Sequence, residues 1–139
     1  MSNKNKWNKN RHILKGIKNP SKEPYEIKMK IPELTFEGVR GQPDFACLYI
    51  TFYPKDNVVE LKALKEYFFS FRSQIFSYER IINVIYDDMM SVYNPDRLRL
   101  VLTCNARGGI SSKLTVDSDW KSRGGEEKFK DWVGQKEDW

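Results

Sequence analysis

Tyr25, Ile27, Met29 and Ile31 alternate with Glu26, Lys28 and Lys30, the two-residue period of a strand with one buried face. Pro32 either breaks this strand or marks it as a sheet edge, because proline donates no ladder hydrogen bond. Residues 45–53 (Phe-Ala-Cys-Leu-Tyr-Ile-Thr-Phe-Tyr) are β-rich throughout and bounded by Pro43 and Pro54, which predicts a central strand. Lys55, Asp56 and Asn57 turn the chain into a short strand at Val58 and Val59. From Leu61 the period lengthens. Leu61, Leu64, Phe68 and Phe71 follow helical spacing, and so do Ile75, Ile82, Ile85 and Met89, predicting two consecutive helices. Asn94-Pro95-Asp96 ends the second, since the residue before a proline is pushed out of the helical region. Leu98, Leu100 and Leu102 then alternate with Arg97, Arg99 and Val101, and a partner strand begins near Ile110 after the Gly108-Gly109 turn. Strands, two helices and strands again make an antiparallel α+β domain.

A chain of 139 residues supports one core, and 40% hydrophobic with 14% aromatic residues is a globular composition. The expected organisation is a basic flexible arm at 1–19, a folded domain at 20–117 and a polar tail at 118–139, with a short docking helix around residues 126–133. The net charge of +5 is concentrated in the arm, where Lys4, Lys6, Lys9, Arg11, Lys15 and Lys18 occur without an acid. Such an arm is either a solvated terminus or a contact for phosphates. His12, in the same arm, is expected to be exposed. No run of about 18 apolar residues predicts a membrane span and no signal-peptide core is present, so a cytoplasmic protein without membrane contact is expected. Cys47 and Cys104 both lie in apolar strand-like runs, where reduced, buried thiols are expected, and no metal site is predicted.

Lys62 and Lys65 lie three apart on one helical face near its start, where free N–H groups and the backbone dipole favour anions. By themselves they are either an anion site or an ordinary solvated pair. Several segments then occur in a familiar order: Ile31-Pro32-Glu33-Leu34-Thr35, Gly41-Gln42-Pro43-Asp44-Phe45, Glu60-Leu61-Lys62-Ala63-Leu64-Lys65, Phe69-Ser70-Phe71-Arg72, Glu79, and Arg107-Gly108-Gly109-Ile110. Together they resemble the QueF family, the NADPH-dependent 7-cyano-7-deazaguanine reductases of the tunnelling-fold superfamily, over roughly residues 20–114. The resemblance implies an antiparallel sheet with two consecutive helices on one face, assembled into homo-oligomeric rings as a pentamer or decamer with sites between subunits. It implies a 7-deazaguanine held by Glu79, with Tyr78 and Glu60 at the substrate, and a role in queuosine formation. A carboxylate suits that task, because its two oxygens accept from an exocyclic amine and a ring N–H together. Asp44 is implied as the general acid, and Lys62, Lys65, Arg107 and Gly108 as contacts of NADPH.

The pattern departs from the family at its nucleophile. The family's cysteine lies seven residues before the aspartate, where this chain has Glu37; the Pro32–Asp44 loop is one residue short, so the position is either Glu37 or deleted. A histidine that precedes the anchoring glutamate is replaced by Tyr78. Thiolate addition to the nitrile carbon is therefore not available from position 37. Cys47 is expected on the strand face opposite Asp44, and Cys104 is remote in sequence. Three readings follow: a nominal nitrile reductase or its descendant that keeps the pocket; a non-reductive conversion of the nitrile or of a tRNA-linked 7-deazaguanine by Glu37 and Asp44; and a non-catalytic ligand-binding subunit.

Overall fold

The computed structural model describes residues 9–129, apart from the side chain of Arg107. Among these, six strands and two helices follow in the order β1 (Gly16–Lys18), β2 (Ile27–Glu37), β3 (Pro43–Tyr53), β4 (Asn57–Val59), α1 (Leu61–Phe69), α2 (Tyr78–Tyr93), β5 (Arg97–Arg107) and β6 (Ile110–Asp117). The main sheet has the order β2-β3-β5-β6 with every pair antiparallel, and β1 pairs with β4 in a separate ribbon. Both helices cover one face of the main sheet. Leu48, Ile50, Phe52, Leu98, Leu100 and Leu102 from that face meet Tyr67, Phe71, Ile81, Ile85 and Met89 from the helical layer, all at most 2% exposed. No helix among the described residues is long and apolar enough to cross a membrane.

Pro32 does not end its strand. It falls where the β2–β3 register shifts between Ile31 and Leu34, on the outermost strand of the sheet, so its missing N–H interrupts the ladder at a bulge. The second helix starts at Tyr78 rather than near Ile75, because the Ser77 hydroxyl caps it by accepting from Arg80 N at 3.1 Å. Asn94 closes it in the left-handed conformation, as the Asn-Pro pair predicts.

Among the described residues, 9–18 and 118–129 make specific contacts with the domain. Within the arm, Asn10 and Leu14 are buried, residues 16–18 form β1, and His12 is exposed as expected. Arg11 Nε donates to Asp88 Oδ1 at 2.9 Å, and Tyr93 Oη donates to the Lys15 carbonyl. The tail folds over the helix-free face of the sheet. There the Asp119 carboxylate accepts from the Lys128 and Phe129 N–H groups, Arg97 Nη1 donates to the Phe129 carbonyl, and the Phe129 ring meets Tyr53 edge-on. Residues 126–129 are irregular, not helical; residues 130–133 of the expected docking helix lie outside the described residues.

Arg97 and Asp117 form a paired contact at 3.2 and 2.6 Å with both residues 1% exposed, and Arg99 adds a third bond to Asp117 at 3.2 Å. Burial alone would raise the Asp117 carboxyl, but hydrogen bonds from Arg97, the Asp119 N–H and Arg99 outweigh it and hold the group below the usual carboxylate range. A carboxyl depressed in the folded state stabilises above its unfolded pKa and loses that contribution as pH falls through its folded pKa. Asp117→Asn is expected to lower unfolding free energy in urea by about 3 kcal/mol at neutral pH. The gap from wild type should stay constant above about pH 5 and close on acidification below about pH 4; a gap independent of pH would contradict this assignment.

Candidate functional site

The β2–β3 hairpin ends in a tight loop over residues 38–42. Gly38 N donates to the Gln42 carbonyl at 2.7 Å, and Gly41 N donates to the Gly38 carbonyl at 2.9 Å. Gly41 has φ +82° with open space around it, so its glycine is required by conformation. Gly38 is required by contact: a Cβ there would meet Gln42 Nε2 at 1.7 Å and Asp44 Oδ2 at 2.4 Å. Gln42 Nε2 in turn donates to Asp44 Oδ2 at 3.3 Å. Asp44 is 5% exposed, a carboxylate set at the mouth of the core by its own loop.

Strand register then decides what shares Asp44's face. Asp44 pairs with Phe36, and Ala46 with Leu34 on one side and Cys104 on the other, so these side chains all point toward the helices. The Phe36 ring meets Tyr78 edge-on at 5.7 Å and Phe76 at 6.5 Å, bringing the start of α2 to this end of the sheet. Glu79, next along, stands in the first turn of α2, where a negative charge is favoured. It lines a groove of about 480 Å³ with Ser77, Arg80, Asn83, Asp87 and Arg123. Its nearest candidate partners are otherwise engaged. Arg80 stacks over Phe76, while Asn83 donates to the Glu79 main-chain carbonyl and accepts from Arg123. Among the described residues no hydrogen bond or ion pair engages the Glu79 carboxylate.

Glu37 is held by its backbone. Its N–H donates to the Gln74 carbonyl at 2.9 Å and its carbonyl accepts from Phe76 N at 2.8 Å, a parallel bridge to the connector between the helices. Glu37 pairs with Pro43 while Phe36 pairs with Asp44, which assigns Glu37 and Asp44 to opposite faces of the hairpin. The register therefore gives no carboxylate pair within one chain for the non-reductive chemistry. Cys47 lies on the face away from Asp44, as expected. Cys104 shares Asp44's face, closer to the candidate site than its sequence position suggests. Burial pushes the Cys104 thiol up, the Ser112 hydrogen bond draws it partly back, and the charge of Glu79 raises it further. A protonated thiol in the core is a packing group, not a nucleophile. Burial also raises the Tyr78 phenol, with Cys104 contributing, so Tyr78 offers an uncharged ring and hydroxyl.

The lysine pair stands elsewhere. Glu60 is the N-cap of α1, its carboxylate accepting from Lys62 N at 2.9 Å and Ala63 N at 3.0 Å. Glu60 thus caps its own helix, and the Lys62 and Ala63 N–H groups at the start of that helix hold a carboxylate. Lys62 and Lys65 are exposed. Lys65 borders a groove of about 460 Å³ between α1 and the edge strand β2, floored by Leu61, Leu64 and Phe68 and rimmed by Lys30 and Arg72. Arg72 stacks on Phe69 at 4.6 Å; its motif was legible in the sequence, but its place beside Lys65 was not. Gly108 and Gly109, at φ +57° and +81°, form the two-residue turn between Arg107 and Ile110, so their glycines are explained by a hairpin with both central residues left-handed. The side chain of Arg107 lies outside the described residues. Between the lysines and the connector at Gln74 run the rest of α1, at about 1.5 Å per residue, and a 3-10 turn. The Lys65 groove and the Glu79 groove share no lining residue. Of the basic arm, Lys4 and Lys6 lie outside the described residues and Arg11 is paired with Asp88. Among the described residues no group of three or more His, Cys, Asp and Glu could hold a metal ion.

Comparison with known proteins gives concordant results. A family model described as QueF-like protein matches residues 43–123. A protein of a Nitratiruptor species named NADPH-dependent 7-cyano-7-deazaguanine reductase is 39% identical over 102 residues, covering 73% of this chain and 78% of the relative. A protein of the same name from Magnetococcus marinus is 38% identical over 119 residues, covering 84% and 93%. Among solved structures, the apo form of the archaeosine synthase QueF-Like superposes with TM-score 0.56 at 12% identity, covering 70% of this chain and 94% of that one; at that identity the likeness is one of fold.

The two loop glycines predict distinct outcomes. Gly41→Ala should cost about 1 kcal/mol in urea unfolding, from conformation alone. Gly38→Ala should cost about 1–3 kcal/mol by overpacking, and adding Gln42→Ala should recover part of that loss, because the amide is the nearest obstacle. Strict additivity of the two changes would show that Gly38 does not pack on Gln42.

Proposed function

The chain belongs to the QueF family, and on that premise we propose that it binds a 7-deazaguanine, 7-cyano-7-deazaguanine in the first instance, through the carboxylate of Glu79. The observation that supports this reading is the state of that carboxylate: it lines a groove along the first turns of α2, while Arg80 and Asn83 are occupied with other contacts. Glu79 accepts from the amine and ring N–H of the base, two hydrogen bonds that no neutral side chain makes in the same direction. Asp44, shielded from water and oriented by Gln42, is the group able to hold a proton near the nitrile. Glu37 supplies no thiolate, so a covalent thioimide at this position does not form.

For NADPH the fit is through side-chain charge. The N–H groups at the start of α1 are capped, but Lys65, Lys30 and Arg72 around an apolar groove suit a phosphate-bearing nucleotide, with Lys62 close by. When bound, NADPH would supply a hydride. Because the lysine groove and the Glu79 groove lie apart within one chain, the complete site is proposed to form between copies of the chain in a homo-oligomer.

Calorimetry with 7-cyano-7-deazaguanine should show saturable binding, weakened roughly 10–100-fold by Glu79→Ala, the loss expected for hydrogen bonds to a charged group. With NADPH present, absorbance at 340 nm should not fall and mass spectrometry should show no protein adduct. Absence of binding heat from the wild type would remove this reading, and steady NADPH oxidation would restore the reductase one.

A further inference from the structure

The first described residues are tied to the part of the fold that carries the candidate site, although they precede the region matched by the family model. Asn10 is 7% exposed, and its side-chain amide exchanges two hydrogen bonds with that of Gln74, Asn10 Nδ2 to Gln74 Oε1 and Gln74 Nε2 to Asn10 Oδ1, each 2.9 Å. Gln74 is the residue whose carbonyl receives the Glu37 N–H. Two residues on, Phe76 N donates to the Glu37 carbonyl, and Ser77 then caps the helix that presents Tyr78 and Glu79. One amide pair therefore stands behind both the end of β2 and the start of α2.

The segment that carries Asn10 is itself fixed at several points. The Asn10 carbonyl accepts from Ile13 N in the short 3-10 turn. Arg11 reaches Asp88 and Ser91 on α2, and Leu14 enters the core. The Lys15 carbonyl accepts from Tyr93 Oη and from Glu60 N, the latter at the residue that caps α1. An amide pair with both bonds made and little exposure is directional, since losing either partner leaves a buried donor and acceptor without a match. We propose that Asn10 is a positioning residue for the candidate site: through Gln74 it sets the relative placement of the Glu37 strand end, and hence of Asp44's hairpin, and of the first turn of α2 that carries Glu79. This rests on the ligand reading above for its functional consequence, but the clamp itself has a readout that needs no ligand.

The test uses the full chain with Asn10→Ala, the near-isosteric Asn10→Asp, and the exchanged pair Asn10→Gln/Gln74→Asn, which conserves the combined reach of the two amides. Hydrogen exchange is read at the Glu37 and Phe76 amides, and calorimetry with 7-cyano-7-deazaguanine supplies the affinity. Arg11→Ala serves as the comparison, because it removes a contact of the same segment to α2 without touching Gln74. Asn10→Ala is expected to speed exchange at both amides about tenfold and to weaken binding by a similar factor, with Asn10→Asp intermediate and the exchanged pair close to wild type. Arg11→Ala should lower thermal stability while leaving affinity within about twofold of wild type. Unchanged exchange at Glu37 and Phe76 in Asn10→Ala would overturn the clamp, whatever binds. Faster exchange with unchanged affinity, or equal loss of affinity in Arg11→Ala, would overturn its positioning role. A wild type that binds no nitrile would fail the ligand reading alone, and the exchange rates would then decide the clamp.

Discussion

Two main-chain hydrogen bonds join the halves of this fold, from Glu37 N to the Gln74 carbonyl and from Phe76 N to the Glu37 carbonyl. Without them the end of the β2–β3 hairpin would meet the start of α2 through side chains, chiefly the Phe36 contacts with Phe76 and Tyr78. With them, the Phe36 ring is brought edge-on to Phe76 and Tyr78, and Ser77 starts its helix close to the strand end. A parallel bridge of one residue pair is a weak element by itself. It is supported by what surrounds it: the aromatic packing of Phe36 on Phe76 and Tyr78, and the amide pair of Gln74 with Asn10.

The main sheet and its helical cover were legible in the sequence because both have a period. Leu98, Leu100 and Leu102 alternate as a strand must, and Ile82, Ile85 and Met89 recur as a helix must, so burial follows from spacing. What was not legible lacks a period. β1 is three exposed residues whose role is to pair with β4, and no alternation marks it. The tail docks through an aspartate that caps two N–H groups nine and ten residues away, a contact that composition does not encode. Glu60 escaped as a helix cap because glutamate is not among the side chains favoured there, and a charged motif around it drew attention to binding instead.

The site residues divide along the same line. Asp44, Tyr78 and Glu79 come to one end of the sheet because register and a single aromatic contact require it. Lys65 lines a different groove from Glu79, and sequence spacing carries no information on that separation. Cys104 illustrates the converse. Remote along the chain, it is brought by the Ala46 pairing to Asp44's face, yet the burial that brings it there also keeps its thiol protonated. Proximity and reactivity are set by the same environment and here act in opposite directions.

Position 37 is fixed by its backbone and not by its side chain. Everything that fixes this residue runs through its N–H and carbonyl, which any amino acid other than proline provides. Its side chain lies on the face that does not pack against the helices, so neither core volume nor the aromatic contacts of Phe36 depend on what it is. A thiol or a carboxylate can therefore stand there over the same backbone, with the hairpin loop, Asp44 and the start of α2 unmoved. Gly38, one residue on, has the opposite character: its side-chain position is occupied by Gln42 and Asp44, and no substitution is neutral. The hairpin thus sets a position held through its N–H and carbonyl beside a glycine whose absent side chain holds geometry.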